Sequence, residues 1–230
     1  MPNFNFGTAY NTSGQTMQDP EDALLEQILR LMAFGGYSAV TPANVRKGGV
    51  EETLLKPLNT RQKLCAWALE ETAERIRLAY EPVTEQARAY LSAGERSQDE
   101  SIKQLERLLY YHIHLCLHPK NRIYVLAAAN EAQLPPAFSE ILPRALQTCF
   151  CQVLEDMILC AAQVKKQKEA AMLAASICAS VQFYAVQPEL AKRMFMAQTR
   201  HEPNYAEIED MLNNMLLRSV VANTAINKPF

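Results

Sequence analysis

The chain has 230 residues, 49% hydrophobic and 21% charged, with a net charge of −2, the balance of a globular protein long enough to bury its own core. So small a charge gives no global field for nucleic acid, and any such surface must be a local patch. Only seven glycines occur, and long stretches of Ala, Leu, Glu, Gln, Lys and Arg predict an all-α fold.

Residues 1–18 lack the basic start and apolar run of a signal peptide and read as a flexible tail. Asp19, Pro20, Glu21 and Asp22 then open the first helix as cap, first-turn proline and dipole-matched acids. Leu24, Leu25, Ile28, Leu29 and Met32 give it one apolar face, and Gly35-Gly36 stops it. Thr41-Pro42 repeats the start signal for a helix to about Lys47. Gly48-Gly49 makes a turn, Glu51 starts a second short helix, and Pro57 ends it. One long helix follows from Arg61 to about Leu91, with a bend expected at Pro82. Beyond the polar linker 92–100, helices are expected over 101–117, 120–133, 137–163, 167–186, 189–199 and 204–222, punctuated by prolines 119, 135, 136, 188 and 203. The boundaries follow as a three-helix domain over 19–65 and a larger helical domain over 66–230. The apolar stretch 170–186 reads as too short and too weakly hydrophobic for a membrane span, so a buried helix is expected there.

The side chains that could carry chemistry point away from catalysis. In "HIHLCLHP" (112–119), His112 and Cys116 share one helical face and His114 and His118 another, about 200° away on an ideal helix. Two ligands per face are too few for a structural zinc, so no metal is expected. Cys149 and Cys151 diverge on a helix and form neither a metal nor a disulfide pair. The six cysteines contain no Cys-x-x-Cys and read as the reduced thiols of a cytoplasmic protein. There is no nucleophile–base pattern, Gly-rich phosphate loop or paired-carboxylate motif, so neither an enzyme nor a cofactor is expected.

Specific phrases carry a resemblance. Leu31-Met32-Ala33-Phe34-Gly35-Gly36-Tyr37, Thr41, Val45, Gly48-Gly49-Val50, Thr53-Leu54-Leu55, Leu58 and Thr60-Arg61-Gln62-Lys63-Leu64 follow the order of the helix-turn-helix in the TetR family of transcriptional regulators. The segments 116–142 and 175–188 resemble the branch of that family with a CecR-like C-terminal domain. The resemblance implies an N-terminal three-helix helix-turn-helix domain plus a larger C-terminal helical ligand and dimerisation domain. Its implied partners are a double-stranded DNA operator, a small apolar ligand and a second copy of the chain.

On that frame the five bases and two acids between residues 41 and 63, a net of +3, suit a modest phosphate-contacting face. Thr41, Arg46, Lys47, Lys56, Arg61 and Lys63 are the candidates for it. Thr53 is a candidate for base contact by position, and Leu55 for apolar contact such as a thymine methyl. Tyr111, Tyr124 and Phe183 are the candidates for lining a ligand pocket, which the resemblance implies. A second reading stays open: a dimer of the same fold that binds a ligand or a protein and no longer reads DNA. It draws on two single-residue shortenings against the family's pattern, near Arg46–Gly48 and Glu51–Thr53, on Leu55, which replaces the family's tyrosine, on the Glu51-Glu52 pair, and on Pro57.

Overall fold

The computed structural model describes residues 19–94, 96–130, 133–162 and 166–226, and every regular element in them is helical. The tail expected over 1–18 lies outside the described residues. In chain order the elements are α1 (Pro20–Ala39), α2 (Pro42–Arg46), α3 (Glu52–Leu55), α4 (Arg61–Ser92), α5 (Gln98–Leu117), a 3₁₀ turn (Pro119–Asn121), α6 (Arg122–Ala129), α7 (Ile141–Leu146), a π turn (Gln147–Cys151), α8 (Gln152–Ala162), α9 (Gln167–Val186), α10 (Pro188–Thr199) and α11 (Tyr205–Ile226).

Capping chemistry explains the starts. The Asp19 carboxylate accepts from the Glu21 N–H at 3.0 Å, and the Thr41 hydroxyl accepts from the Asn44 N–H at 3.1 Å. Ser97 accepts from the Glu100 N–H at 3.2 Å, so α5 begins at Gln98 rather than at 101. Two expected helices are cut. The one expected from 137 begins at Ile141, because Pro143 lacks a donor and fits only in a first turn, whose N–H groups have no intrahelical partner anyway. The residues before it close turns instead, with the Phe138 N–H on the Pro135 carbonyl at 2.8 Å. The other ends at Ala129, where the Asn130 side chain donates to the Leu126 carbonyl at 3.0 Å and to that of Ala33 at 3.1 Å. Pro82, by contrast, lies inside α4.

The chain forms two compact units, Met1–Ala79 with Lys120–Leu146, and Tyr80–Pro119 with Gln147–Phe230. The contacts thus draw α6 and α7 to the first helices, whereas the sequence reading places a single boundary at 65. In the first unit α1 packs on α2 and α6, and Leu24, Leu25, Ile28, Leu29, Val45, Leu55, Leu64 and Leu69 form the core. Gly36 turns the end of α1 with φ 68° and ψ −176°, a region that side chains other than hydrogen avoid.

In the second unit α5 packs on α8, α9 and α11, and α8 packs on α9. Phe150, Leu105, Leu108, Leu109, Ile113, Leu154 and Ile158 are wholly buried there. Helix α9 departs from the expected buried helix. Only Ala170, Ala174, Ile177, Val181 and Ala185 are buried, one stripe at helical spacing. By length and composition α9, and the run Ile141–Ala162, are each sufficient to cross a membrane.

Candidate nucleic-acid interface

Every residue assigned to DNA from the sequence lies in the first unit, and the structure sorts them by what else they touch. The short helices α2 and α3 with their caps carry Thr41 to Lys56, and the first turn of α4 carries Arg61 and Lys63. Thr41 caps α2, and Asn44 fixes the same corner by donating from its side chain to the Ala39 carbonyl at 2.9 Å. The turn after α2 is closed by the Gly48 and Gly49 N–H groups on the carbonyls of Val45 and Arg46, at 3.0 and 3.1 Å. Gly49 takes φ 79°, the left-handed conformation that ends helices and favours glycine. Gly48 passes so close to the Gln27 side chain that a Cβ there would fall within 2.7 Å of it.

Helix α3 holds four residues, about one turn. Glu51, at its cap position, makes no side-chain cap bond; its carboxylate accepts from the Thr53 hydroxyl at 3.3 Å. After α3 the Leu58 N–H reaches the Leu55 carbonyl at 3.1 Å, and Pro57 sits within this turn. Thr60 then opens α4, its hydroxyl accepting from the Lys63 N–H at 3.3 Å.

Leu55 corrects the sequence assignment. Its side chain is 2% exposed and belongs to the core, so it is not offered to a thymine methyl. A helix this short cannot show by periodicity which face is inward, and Leu55 with Val45 holds α3 and α2 to the fold instead.

Arg46 and Arg61 are engaged within the chain. The Arg46 guanidinium grips Glu52 with two bonds, Nε to Oε2 at 2.7 Å and Nη2 to Oε1 at 3.1 Å. The shared hydrogen bonds push the Arg46 pKa up and hold Glu52 below the usual carboxylate range, so both stay charged near neutrality. Arg61 donates from Nε to the Val40 carbonyl at 3.2 Å and from Nη2 to that of Ser38 at 3.1 Å. It also lies over the Tyr37 ring, 5.4 Å from its centroid. Arg61 therefore ties the start of α4 to the loop between α1 and α2. Lys47, Thr53, Lys56 and Lys63 are exposed, and no ion pair among the described residues holds the three lysines.

The residues assigned to a ligand pocket are divided between the two units. Tyr124 belongs to the first unit, and its hydroxyl accepts from Arg75 at 3.3 Å. Arg75 also binds Asp22 at 2.6 Å and Glu71 at 2.9 Å. Burial alone would lower its pKa, but the hydrogen bonds to those carboxylates raise it. Tyr111 and Phe183 belong to the second unit. Tyr111 stands edge-on to Tyr80 at 6.1 Å, its pKa pushed up to about 12 by burial. Phe183 is 39% exposed.

The second unit holds a polar cluster that adds Tyr80 to the His112 and Cys116 face read from the sequence. Buried Tyr80 and His112 meet at 2.6 Å between the hydroxyl and Nδ1, and the Cys116 sulfur is 3.7 Å from the same nitrogen. His112 stacks on Phe150 at 4.4 Å, and burial pulls its pKa down to about 3, so it is neutral. Among the described residues its Nε2 has no hydrogen-bond partner. His114 instead pairs with Glu209 at 3.2 Å. Among the described residues, no three His, Cys, Asp or Glu side chains group as a metal site.

No family model matches the chain, and no curated protein matches it.

Proposed function

We propose that the chain is a TetR-like, homodimeric transcriptional regulator, acting in the cytoplasm, that binds double-stranded DNA mainly through phosphate contacts. The observation that carries this reading is the helix–glycine turn–helix at 42–55. Its two short helices are held by Val45 and Leu55, while Lys47, Thr53, Lys56 and Lys63 remain exposed around it. Phosphate contacts from lysine fix position without reading sequence, and Thr53 is the side chain left for base contact.

The dimer is supported by α9. Met172, Ala175, Ser176, Ala179 and Phe183 are all exposed and recur at helical spacing opposite the buried stripe. An apolar and small-residue stripe of this kind lets a symmetry mate approach closely. Ala161, Ala162 and Ala174, small residues also suited to such packing, are buried within the subunit. Release of DNA by a small apolar ligand rests on the family resemblance alone. Such a ligand acts only by binding the DNA-incompetent arrangement more tightly.

Three lysines on each of two subunits make about six phosphate contacts, a log–log salt slope of about −5.4. Binding should then weaken roughly 2,000-fold between 50 and 200 mM salt. The measurement is anisotropy of labelled duplexes, one from the region upstream of the coding sequence and one a random pool, across that range. Absence of salt-dependent binding to both sinks the proposal. The second reading, a dimer of this fold that binds a ligand or a protein and not DNA, would then stand. It is favoured by one observation, the engagement of both Arg46 and Arg61 within the chain.

A further inference from the structure

Cys151 closes the π turn and Cys178 lies in α9, 27 residues on, yet their sulfurs are 3.9 Å apart. We propose that Cys151 and Cys178 are a hydroperoxide-sensitive thiol pair that closes into a reversible disulfide joining the π turn to α9. The inference is independent of DNA binding.

The pair differs from the other cysteines in access and in partners. Cys151 and Cys178 are half-buried, whereas Cys65 and Cys149 are buried. Cys116 is also half-buried, but its sulfur is turned onto the Tyr80 hydroxyl at 3.9 Å and His112 at 3.7 Å. Cys160 is bonded to Ser101 at 3.1 Å. The Cys151 and Cys178 sulfurs, by contrast, lie within hydrogen-bonding distance of each other.

The pair is also chemically asymmetric. The attacking species in thiol oxidation is the thiolate. The hydrogen bond between the two sulfurs lowers the Cys151 pKa, against the opposing effects of burial and Glu155. The same hydrogen bond, with burial, raises that of Cys178. Burial pushes Cys116 up to about 12 and Cys65 up to about 11, so both stay protonated and inert. Cys151 is the attacking sulfur and Cys178 the resolving one.

The chemistry balances with a hydroperoxide as oxidant. The Cys151 thiolate attacks one peroxide oxygen, the O–O bond breaks, and sulfenic acid forms. The departing oxygen takes a proton from solvent and leaves as water or an alcohol. The Cys178 sulfur then attacks the sulfenic sulfur; the S–S bond forms, the S–O bond breaks, and hydroxide leaves as water with the Cys178 proton. Two electrons pass from the thiols to the peroxide, and two equivalents of a small thiol reverse the change.

The test uses the full-length reduced protein, treated with stoichiometric hydrogen peroxide, alkylated, and mapped by non-reducing peptide mass spectrometry. Two of the six thiols should be lost to alkylation, one cross-linked peptide should join Cys151 to Cys178, and dithiothreitol should restore both. In Cys178→Ser, dimedone should label Cys151; in Cys151→Ser, Cys178 should stay reduced. A cross-link through Cys116, an intermolecular cross-link, or retention of all six thiols would overturn the proposal on the wild-type protein alone. Dimedone labelling of another cysteine in Cys178→Ser would overturn the assignment of Cys151.

Discussion

Replacing Glu52 by glutamine tests whether Arg46 is a masked phosphate contact. Glu52 binds the guanidinium fork through two of its nitrogens, an arrangement that matches how arginine would grip a phosphate. Both side chains are more than half exposed, 53% and 57%, so the pair adds little to folding, and the melting temperature should not move. The substitution Glu52→Gln keeps the shape of the side chain but not its charge. Arg46 becomes free to meet phosphate, and one repulsive acid is removed. One added contact per subunit steepens the salt slope by about 1.8 across a dimer. Between 50 and 200 mM salt, the variant should therefore lose roughly 12-fold more affinity than wild type. The assay is anisotropy of a labelled random-sequence duplex at five or more salt concentrations, with both proteins measured in parallel. An unchanged or shallower slope in Glu52→Gln, with wild type binding normally, would show that Arg46 does not reach DNA.

Three further outcomes test the fold and its pH response. Leu55→Ala should cost about 2–5 kcal/mol in urea unfolding, as for a core leucine; a cost below about 1 kcal/mol would mean the residue is not core. Gly36→Ala should cost about 1–3 kcal/mol, because φ 68° with ψ −176° is a glycine conformation, and an unchanged melt would contradict it. His112 is depressed from 6.5 to about 3, so on acidification the unfolded chain takes up a proton that the folded one refuses. Its contribution is present above pH 6.5 and is lost as the pH falls, by about 3 kcal/mol between pH 8 and 4.5. His112→Gln should remove that component from the pH dependence of urea melts, and identical profiles would refute the assignment.

Local signals accounted for more of this fold than long-range ones. The caps at Asp19, Thr41 and Thr60, the prolines at 42, 57 and 188 and the glycines at 36 and 49 act within a few residues. Helices α2, α3, α4 and α9 therefore stand close to where the pattern put them, while α1 is kinked rather than stopped at Gly36 and runs on to Ala39. Ser97-Gln98-Asp99-Glu100 is a capping signature that was equally legible and fixes the start of α5. Pro143 was legible too, as a residue better placed in a first turn than in a helix interior. The pairing of α6 with α1 was not, because it depends on contacts such as Asn130 with Ala33, 97 residues apart. The same holds for Cys151 and Cys178. Two positions in sequence separate Cys151 from Cys149, but its sulfur partner is brought by the packing of α8 on α9.

The candidate interface shows why a charge count is a weak guide to a binding face. Counting treats the five bases between residues 41 and 63 as equivalent. Their surroundings do not. Arg46 lies across a glycine turn from Glu52, and once the turn closes the two neutralise each other. Arg61 is the first residue of a long helix, and the carbonyls of Ser38 and Val40 take up its donors. Arginine, with its planar fork of donors, is the base that a fold captures most readily. Lysine, with a flexible stem and a strongly hydrated head, is left at the surface. The three bases that remain available are all lysines, so on the proposed reading they would contact phosphate as point charges, and specificity would come from Thr53 or from the shape of the DNA.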